Sequence, residues 1–498
     1  MSEAKPLRIA VRFPPYANAS WRERCLASLD SVADVELSSF SDADPPRRAD
    51  LVVDLSTRAV DARHLMDPPL GYWTLVYGEE PERFAPGAQE FLAGRRAAHV
   101  RLVQLVRPDS ARLLREGVVK VIGHSLGATR RRLLDTVADW PARALKERLR
   151  EKEPGRQTAR LEGRALRLRS RGPVARLILY LRLPFAWIRN VFSRAIREAT
   201  REHWAVGVIA EPVQRVCQSF DPAKIRWLPP PPDGFLADPF AVAYPDGRLV
   251  ILAEALSWQE GRGRIVAFES GPDGGITPLQ EVFAFTTHAS YPQLIEHDGA
   301  IYCIPETLQQ RRVQLFRADP FPHRWIPDTV LLENFAGADA TVCFHEGRWW
   351  LFVCDHDDQD ETKLFIFHAS ALRGPWLPHA ANPVKCDLRS ARPAGPLFVM
   401  ENQLHRPAQD CSVTYGGAIS INRITRLNAN EFAEETVTRL APAANGPYPH
   451  GLHTLSGAGH VTLVDGKREA LSAASLRLRL QHLGKSLSLK LNRARHVI

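Results

Sequence analysis

Strand-like segments recur with a period near 50 residues across the C-terminal half of the chain, and each repeat contains an apolar run that ends on an acidic residue. These acidic ends are spaced 52, 49, 55 and 55 positions apart: Glu254, Glu306, Asp355, Asp410 and Asp465. A repeat of this length is typical of four-stranded propeller blades. We therefore predict a five-bladed β-propeller over 203–470, with 203–217 supplying outer strands that close blade five.

A second strand-like segment precedes each acidic end by 15 or 16 residues, starting at Asp238, Ser290, Asp339, Ala394 and His450. In an antiparallel pair, the start of the first strand and the end of the second lie at one rim. We therefore expect these residues to share one mouth near the propeller axis: Asp238, Glu254, Ser290, Glu306, Asp339, Asp355, Asp410 and His450. A simpler interpretation, that the acids cap turns, is expected to hold for at least two of them.

Several carboxylates in one mouth, beside imidazole, amide and phenol groups, suit the binding of a sugar and the chemistry of its glycosidic bond. By position we assign Asp238 as nucleophile or base, Glu306 as general acid and Asp339 as the acid that orients or tunes them, and Glu254 can exchange roles with Glu306. The residues predicted to bind substrate are Glu254, His288, Tyr291, Asp355, Arg406, Gln409, Asp410, His450 and His453.

No metal or other cofactor is predicted. The acidic run 354-CDHDDQDE-361 lacks the Gly and the terminal Glu of a calcium-binding loop, so a solvated loop is expected. His288, His450 and His453 would suit zinc if they converged, but contacts with sugar hydroxyl groups explain them equally well.

Motifs in the repeats resemble a known propeller: 227-WLPPPPDGFLADPFAV-242, 288-HASYPQLI-295, 304-IPET-307, Trp376 and 406-RPAQDCSVTYGGAI-419. They are similar to the N-terminal propeller of plant glucosamine inositolphosphorylceramide transferase and its bacterial relatives. The start at Asp238-Pro239-Phe240 also resembles five-bladed glycosidases of the arabinanase and fructosidase type. The resemblance implies a glycan or glycolipid substrate. The plant protein's separate glycosyltransferase domain has no recognised counterpart in this sequence, so the resemblance does not carry over its transferase activity.

The first 140 residues alternate strand-like and helix-like patterns, which predicts a small α/β domain over 1–140. Within 117–134, Gly123-His124-Ser125-Leu126-Gly127 matches the G-x-S-x-G nucleophile elbow. A serine esterase is one interpretation. The other is a strand-to-helix junction in which Ser125 caps the helix.

Three segments of this domain are similar in order to the core of the formyltransferases: 51-LVVDLS-56, 71-GYWTLVYGEE-80 and 109-DSARLLREGVVK-120. The catalytic Asn-His-Asp set of that family has no match in 71–80. The resemblance therefore implies a degenerate formyltransferase-like domain, for which a scaffold or acceptor-docking role is as consistent as formyl transfer.

The net charge of +9 is concentrated in one stretch, because 142–202 holds 17 Lys and Arg against six Glu and the remainder sums to −2. No nucleic-acid partner is predicted. We predict a basic amphipathic helical linker over 141–202 and a basic amphipathic tail over 471–498. Arginines interrupt 173–199 too often for a membrane span. This segment is expected to lie on an anionic membrane surface or, alternatively, to pack one domain on the other.

Seven cysteines without a CxxC pair argue against a disulfide scaffold, and the N-terminus leads directly into a strand-like run. We predict a cytoplasmic protein with a peripheral position at the inner membrane face. The predicted function is hydrolysis or transfer of a glycosyl unit on a glycan or glycolipid. The alternatives are a non-catalytic glycan-binding or scaffold protein, and a formyltransferase-like or serine-esterase activity in the N-terminal domain.

Overall fold

The computed structural model of the chain describes residues 5–14, 17–32, 34–41, 48–56, 68–78, 86–107, 110–150, 160–162, 173–271 and 275–471. The chain divides into two compact units, one of residues 1–190 with 386–388 and one of residues 191–385 with 389–498. The first contains a mixed α/β sheet and the second a five-bladed β-propeller, with helices between them. The predicted fold class is confirmed.

The first unit is built on a seven-stranded sheet of order β2-β1-β3-β4-β5-β6-β7. Its strands are β1 (Leu7–Arg12), β2 (Val35–Ser39), β3 (Leu51–Asp54), β4 (Tyr72–Tyr77), β5 (Ala97–Arg107), β6 (Ser110–Lys120) and β7 (Arg160–Glu162). The strands β2, β1, β3 and β4 pair in parallel with one another in that order. The pairs β4–β5, β5–β6 and β6–β7 are antiparallel. The helices are α1 (Ala19–Asp30), α2 (Ala88–Ala93), α3 (Leu126–Val137) and α4 (Trp140–Arg150). Their apolar faces bury the central strands, so that Ile9, Leu51 and Leu102 are fully enclosed.

The predicted helical linker is only partly helical. Helix α4 begins it, residues 160–162 form edge strand β7 instead of helix, and a long helix α5 (Pro173–Ala199) ends it. Residues 151–159 and 163–172 lie outside the described residues, as does the predicted tail from 472 to 498. Within the described part of the chain, no helix is long and apolar enough to cross a membrane.

The propeller contains five sheets, and four of them follow one another along the chain. Blade one is β10 (Gly234–Ala243), β11 (Leu249–Ser257), β12 (Arg262–Ser270) and β13 (Gln280–Glu281). Blade two is β14 (Ser290–His297), β15 (Ala300–Glu306), β16 (Arg312–Ala318) and β17 (Trp325–Glu333). Blade three is β18 (Gly337–His345), β19 (Arg348–Asp355), β20 (Lys363–Ala369), β21 (Leu377–Pro378) and β22 (Lys385–Cys386). Blade four is β23 (Phe398–Met400), β24 (Gln403–Asp410), β25 (Ala418–Leu427) and β26 (Phe432–Leu440).

Blade five combines the two ends of the propeller sequence, although only part of the predicted segment 203–217 is strand, since 213–217 lie in a helix. It is ordered β27 (Leu455–Ala458), β28 (Val461–Leu471), β8 (Thr200–Ile209) and β9 (Arg226–Trp227). Strand β28 pairs antiparallel with β8 from Thr462↔Ile209 to Leu471↔Thr200, so hydrogen bonds rather than a covalent link close the ring. Helix α6 (Val213–Gln218) follows β8.

A separate apolar core lies between each pair of neighbouring blades. Leu252 and Phe316 belong to the core between blades one and two, for example, and Val206 and Leu236 to the core between blades five and one. Because side chains alternate across each strand, both faces of a blade are apolar and each face packs on a neighbour.

The first three blades share a local distortion of the innermost strand. Its register with the second strand shifts between Ala237 and Phe240, between Ser290 and Gln293, and between Ala338 and Thr341. A residue with left-handed backbone lies in each bulge: Asp238 (φ 51°), Tyr291 (φ 44°) and Asp339 (φ 51°). Such a backbone is uncommon for residues other than glycine, and strain of this kind gathers at functional sites.

Candidate functional site

The three bulge residues form the centre of a buried polar cluster in the propeller. Asp238 and Asp339 are each at most 4% exposed, and Tyr291 is fully buried. The Tyr291 N–H donates to Oδ2 of Asp238 over 3.3 Å, and its hydroxyl lies 2.8 Å from Oγ1 of Thr341, close to Asp339 in blade three. The bulges of blades one, two and three are therefore linked by direct hydrogen bonds.

Asp238 also contacts blade five. Its Oδ1 accepts a hydrogen bond from the Thr454 hydroxyl at 2.7 Å and lies 3.4 Å from Nε2 of His453. Burial raises the pKa of Asp238 to about 6, with His453 acting against the shift and Asp465 and Asp339 adding to it. The carboxyl group therefore titrates near neutral pH instead of near its ordinary value.

His453 lies between two carboxylates, since its Nδ1 is 2.6 Å from Oδ2 of Asp465 on the side away from Asp238. Burial opposes the charge on its ring, but Asp465 and Asp238 outweigh this and raise the pKa of His453 to about 9. His453 also holds the pKa of Asp465 below its ordinary range, although burial acts to raise it. The Trp204 ring covers the imidazole at a centroid distance of 4.0 Å. His453 is therefore a buried imidazolium.

The opposite side of the cluster is built around Asp339. Its Oδ2 accepts hydrogen bonds from Nε of Arg392 at 2.6 Å and from Nε2 of Gln409 at 2.7 Å. Its own N–H donates to Oε2 of Glu306 at 2.8 Å, and Oε1 of Glu306 accepts from the Ser290 hydroxyl at 3.1 Å. Burial raises the pKa of Asp339 to about 7 against the attraction of Arg392. Donors from blades two and three thus hold Glu306, and Arg392 and Gln409 hold Asp339.

Glu254 lies across the strand pair from the first bulge, since it is the register partner of Ala237. Its Oε1 is 3.4 Å from Nε2 of His288, while Nδ1 of His288 accepts the Gly263 N–H at 3.0 Å. That bond assigns the proton of the neutral imidazole to Nε2, which faces Glu254. Burial raises the pKa of Glu254 well above its ordinary value, and Asp238 adds to the shift. A Cβ at Gly263 would collide with Oε1 of Glu254, so glycine leaves room for the carboxyl group.

Four predicted substrate-binding residues have partners outside this cluster. Arg406 is fully buried against Glu434 and the carbonyls of Ser390 and Ala391. Asp410 accepts from the Ser412 N–H and hydroxyl and pairs with Arg439. Asp355 accepts the Asp357 N–H, and exposed His450 accepts the Glu469 N–H. Asp355 and Asp410 are thus bound by local turns, in the way the simpler interpretation predicted for at least two acids.

Across the described residues, the group whose ligand atoms lie close enough to share a metal ion is Asp238, His453 and Asp465, with those atoms within 4.8 Å of one another. With His453 protonated, these three groups form a buried ion triad. The acids of 354–361 instead meet cations nearby, as Asp358 meets Lys363 and Asp360 meets Arg392.

Ser125 of the GHSLG motif has a helix-capping role. It is the N-cap of α3, where its hydroxyl accepts the Ala128 N–H at 3.1 Å and its carbonyl accepts the Thr129 N–H. These bonds satisfy donors that a helix start otherwise leaves unpaired, so capping explains the serine.

Sequence reasoning missed several members of the cluster as site residues, among them Arg392, Thr454 and Asp465. Asp465 had been identified as the fifth acidic strand end, and the series itself was the signal for it. Arg392 lies just before the fourth repeat, where its position in 391-ARPAG-395 was the available signal. The Thr454 hydroxyl gave no pattern that would have distinguished it.

The cluster places raised-pKa carboxylic acids beside ionised groups in a site largely removed from water. Pairs of acids whose surroundings separate their pKa values can act as general acid and base. The fold and the cluster together define the class of protein as a five-bladed β-propeller with a buried acidic centre. The chain belongs to the family described as "Glucosamine inositolphosphorylceramide transferase 1, N-terminal", which matches residues 192–447.

Two plant proteins named glucosamine inositolphosphorylceramide transferase 1 are similar to this chain. The protein of Oryza sativa subsp. japonica is 32% identical over 257 residues, which cover 48% of this chain and 34% of that protein. The protein of Arabidopsis thaliana is 33% identical over 288 residues, 54% of this chain and 36% of that protein. The chain thus spans about a third of the length of these relatives.

Two solved structures show partial similarity. A family 117 glycoside hydrolase of Zobellia galactanivorans aligns at 11% identity and a TM-score of 0.35, over 49% of this chain and 86% of that chain. An exo-β-1,3-galactanase of Phanerochaete chrysosporium with galactose aligns at 13% identity and a TM-score of 0.35, over 44% of this chain and 58% of that chain.

Proposed function

We propose that the propeller is a carbohydrate-active enzyme that hydrolyses or transfers a glycosyl unit, with Asp238 as base or nucleophile and Glu254 as general acid. One observation carries the proposal: the two acids come from neighbouring strands of blade one, both have a pKa raised by burial, and Asp238 adds to the shift at Glu254. His453 counteracts the shift at Asp238. The raised pKa of Glu254 favours the protonated form that a general acid needs, whereas the pKa of Asp238 is about 6.

The contacts of Glu306 favour Glu254 over Glu306 as the general acid. Both oxygens of Glu306 accept hydrogen bonds from the protein, and Oε2 lies 3.5 Å from Arg392. Those bonds engage both carboxylate oxygens of Glu306 with donors of the protein itself. Glu254 instead faces a half-buried neutral imidazole. We therefore assign Glu306 to holding the Asp339 bulge and Glu254 to proton donation.

Asp339 is proposed to orient the cluster and tune its charge. Its link through Thr341 to Tyr291, and from Tyr291 to Asp238, connects it to the base. Its ion pair with Arg392 places a cation near the site, where negative charge develops on a departing or attacking oxygen.

The proposed substrate is a glycolipid whose headgroup combines an amino sugar with an inositol phosphate, because the plant relatives are named for glucosamine and inositolphosphorylceramide. Partly exposed Tyr415 is the proposed platform for a sugar ring. It lies between two cationic side chains, with its ring 5.4 Å from the Arg392 guanidinium and 5.7 Å from the His453 ring.

A second candidate, a glycan-binding module without turnover, is favoured by a separate observation. The carboxylate oxygens of Asp465, Glu306 and Asp339 are engaged by donors of the protein itself. In this proposal the acids hold the blades together, and the polar surface around them recognises the headgroup.

For the first unit we propose a degenerate formyltransferase-like scaffold. The family match starts at residue 192 and does not include it. The capping bonds of Ser125 favour the structural interpretation of GHSLG over an esterase.

The test is turnover of a glucosaminyl inositolphosphorylceramide, followed by mass spectrometry of released or transferred sugar, with a panel of aryl glycosides alongside. Asp238→Asn should reduce the rate by roughly a hundredfold or more while the fold persists. Asp410→Asn is the matched control, because that acid is equally buried but caps a local turn, and it should keep the rate. If the wild-type protein binds the headgroup without turnover, the binding module is correct. If Ser125→Ala rather than Asp238→Asn abolishes an activity, the site lies in the first unit.

A further inference from the structure

Lys467, on strand β28 of blade five, is a fully buried lysine. Lysine is rarely buried to this extent unless its charged end has partners. Its Nζ donates to the Thr414 hydroxyl at 3.0 Å and to the Tyr415 carbonyl at 2.5 Å. Both acceptors belong to residues 411–417, the connection between β24 and β25 of blade four, here called the Tyr415 loop. A side chain of blade five therefore holds a loop of blade four.

Two carboxylates and an indole ring surround the same nitrogen atom. Glu202 and Glu469 are register partners in β8 and β28, and the Oε1 atom of each lies within 3.7 Å of Nζ of Lys467. Like charges directly opposite each other on antiparallel strands repel, so a cation close to both acids is stabilising. The ring of Trp204, the register partner of Lys467, has its centroid 5.4 Å from Nζ. These contacts compensate the burial of the amine and fix its direction.

The Tyr415 loop contacts blade five so closely that glycine is required at two positions. Gly416 has a left-handed backbone (φ 55°), and a Cβ there would collide with the Cβ of His453. A Cβ at Gly451, which lies beside Lys467, would collide with the Gly416 carbonyl oxygen. Movement of the loop toward blade five is therefore blocked by contact, and movement away breaks its bonds to Lys467. The two effects together hold the loop in one position.

We infer that Lys467 is a positioning residue, which fixes Tyr415 as the sugar platform before the substrate binds. The inference rests on the proposed function, in which the Tyr415 ring contacts a sugar between Arg392 and His453. Lys467 bonds the carbonyl of the platform residue itself, so the place of its backbone is set from blade five. A loop ordered in advance loses little conformational entropy when a ligand binds, which improves affinity. Lys467 therefore acts on substrate binding and not on the bond-breaking step.

Hydrogen exchange of the ligand-free full chain tests whether Lys467 holds the loop. The Gly416 and Gly417 N–H groups donate to Sγ of Cys411 and to the Asp410 carbonyl, so their exchange reports opening of the loop. Lys467→Met keeps the apolar stem of the side chain and removes its donors. This variant should speed exchange in the loop by about tenfold or more and leave blades one to three as in the wild type. Unchanged exchange in the loop overturns the inference.

Two further variants separate this effect from a general loss of stability. Lys363→Met is the matched control, since Lys363 is also buried but pairs with Asp358 at 2.6 Å within blade three, and it should leave exchange in the Tyr415 loop unchanged. Thr414→Val removes one acceptor of Lys467 and keeps the buried amine beside its two acids. It should speed exchange in the loop even if Lys467→Met fails to fold, and in that case exchange equal to the wild type overturns the inference. Circular dichroism establishes which variants fold.

Kinetics on a glucosaminyl inositolphosphorylceramide separate positioning from a purely structural role. Lys467→Met should raise KM by roughly tenfold and leave kcat within about threefold. In a Tyr415→Ala background the same substitution should add little to KM, because the platform is already absent. A further rise of roughly tenfold in that background overturns the inference, as does a loss in kcat of Lys467→Met equal to the rise in KM. A wild type that neither binds nor converts this glycolipid would contradict the proposed function instead, and the exchange experiment would still decide whether Lys467 holds the loop.

Discussion

The backbone N–H of Asp238 donates to Oδ2 of Asp465 over 3.0 Å, although the two residues are 227 positions apart in the chain. The same carboxylate accepts the N–H groups of His453 and Thr454 at 2.9 Å each. One side chain in blade five therefore fixes the bulge of blade one and the loop before β27.

Replacing Asp465 should strongly destabilise the propeller. Asp465→Ala removes the partner of a buried imidazolium and leaves three N–H groups unsatisfied, which should lower the free energy of unfolding by about 3–5 kcal/mol. Asp465→Asn keeps one acceptor oxygen and should cost less. Urea unfolding followed by tryptophan fluorescence measures both. Equal stability of Asp465→Ala and the wild type would contradict the role assigned to this residue.

The stability of the propeller should fall as the pH rises from 6.5 to 9. The pKa of His453 is raised from 6.5 in the unfolded chain to about 9 in the fold. Its stabilising charge is fully present below 6.5 and is lost as the pH passes the folded value. Thermal melting across this range should show the loss in the wild type. His453→Gln should be less stable at pH 6 and should show a much smaller decline, and parallel profiles would refute the assignment.

The proposed enzyme should show a bell-shaped dependence of kcat/KM on pH. The rate should rise as Asp238 ionises near pH 6 and fall above the raised pKa of Glu254, whose proton is needed by the leaving group. Glu254→Gln should lose activity on substrates with poor leaving groups and retain more on activated aryl glycosides. An unchanged ratio between the two substrate types would argue against Glu254 as the acid.

Two buried arginines should behave differently when each is replaced. Arg406→Ala leaves Glu434 partly uncompensated, and since Arg406 and Lys385 overcome burial to hold the pKa of Glu434 at about 2, stability should fall by about 3–5 kcal/mol. Activity per folded molecule should survive. Arg392→Ala removes the partner of Asp339 and should reduce activity per folded molecule as well. Thermal melting and a turnover assay on the same samples distinguish the two effects.

Tyr415 should contribute to substrate binding through its ring. Tyr415→Phe keeps the aromatic surface and should leave KM within about twofold, whereas Tyr415→Ala should raise KM by roughly tenfold with a smaller change in kcat. If both variants behave like the wild type, the sugar lies elsewhere.

The sequence predicted the blades because their period is a direct consequence of repeated four-stranded units. The acids of the first two repeats, and Asp339, lie together as the antiparallel geometry requires. Asp355 and Asp410 have other partners. Each of these acids accepts a hydrogen bond from an N–H group two residues later in the chain and so caps a local turn. Ser412 and Asp357 provide those local donors.

Contacts made across the ring could not be predicted in this way. His453 was identified as a polar group near the mouth, but its charge depends on two carboxylates brought together from blades one and five. The left-handed backbone of Tyr291 was likewise outside the reach of sequence patterns, because tyrosine has no preference for it. Its alignment with Asp238 and Asp339 emerges only from the equivalent bulges.

The pairing of Leu471 with Thr200 places the first and last residues of the propeller side by side in one blade. The two ends of the propeller could therefore be joined by a short link, and the chain could be opened instead at another turn. A chain opened at the hairpin turn Asp298–Gly299, with 471 joined to 200 by a short linker, would preserve every blade and every interblade core. In contrast, a fragment that starts after residue 209 would lack the third strand of blade five and could not close the ring.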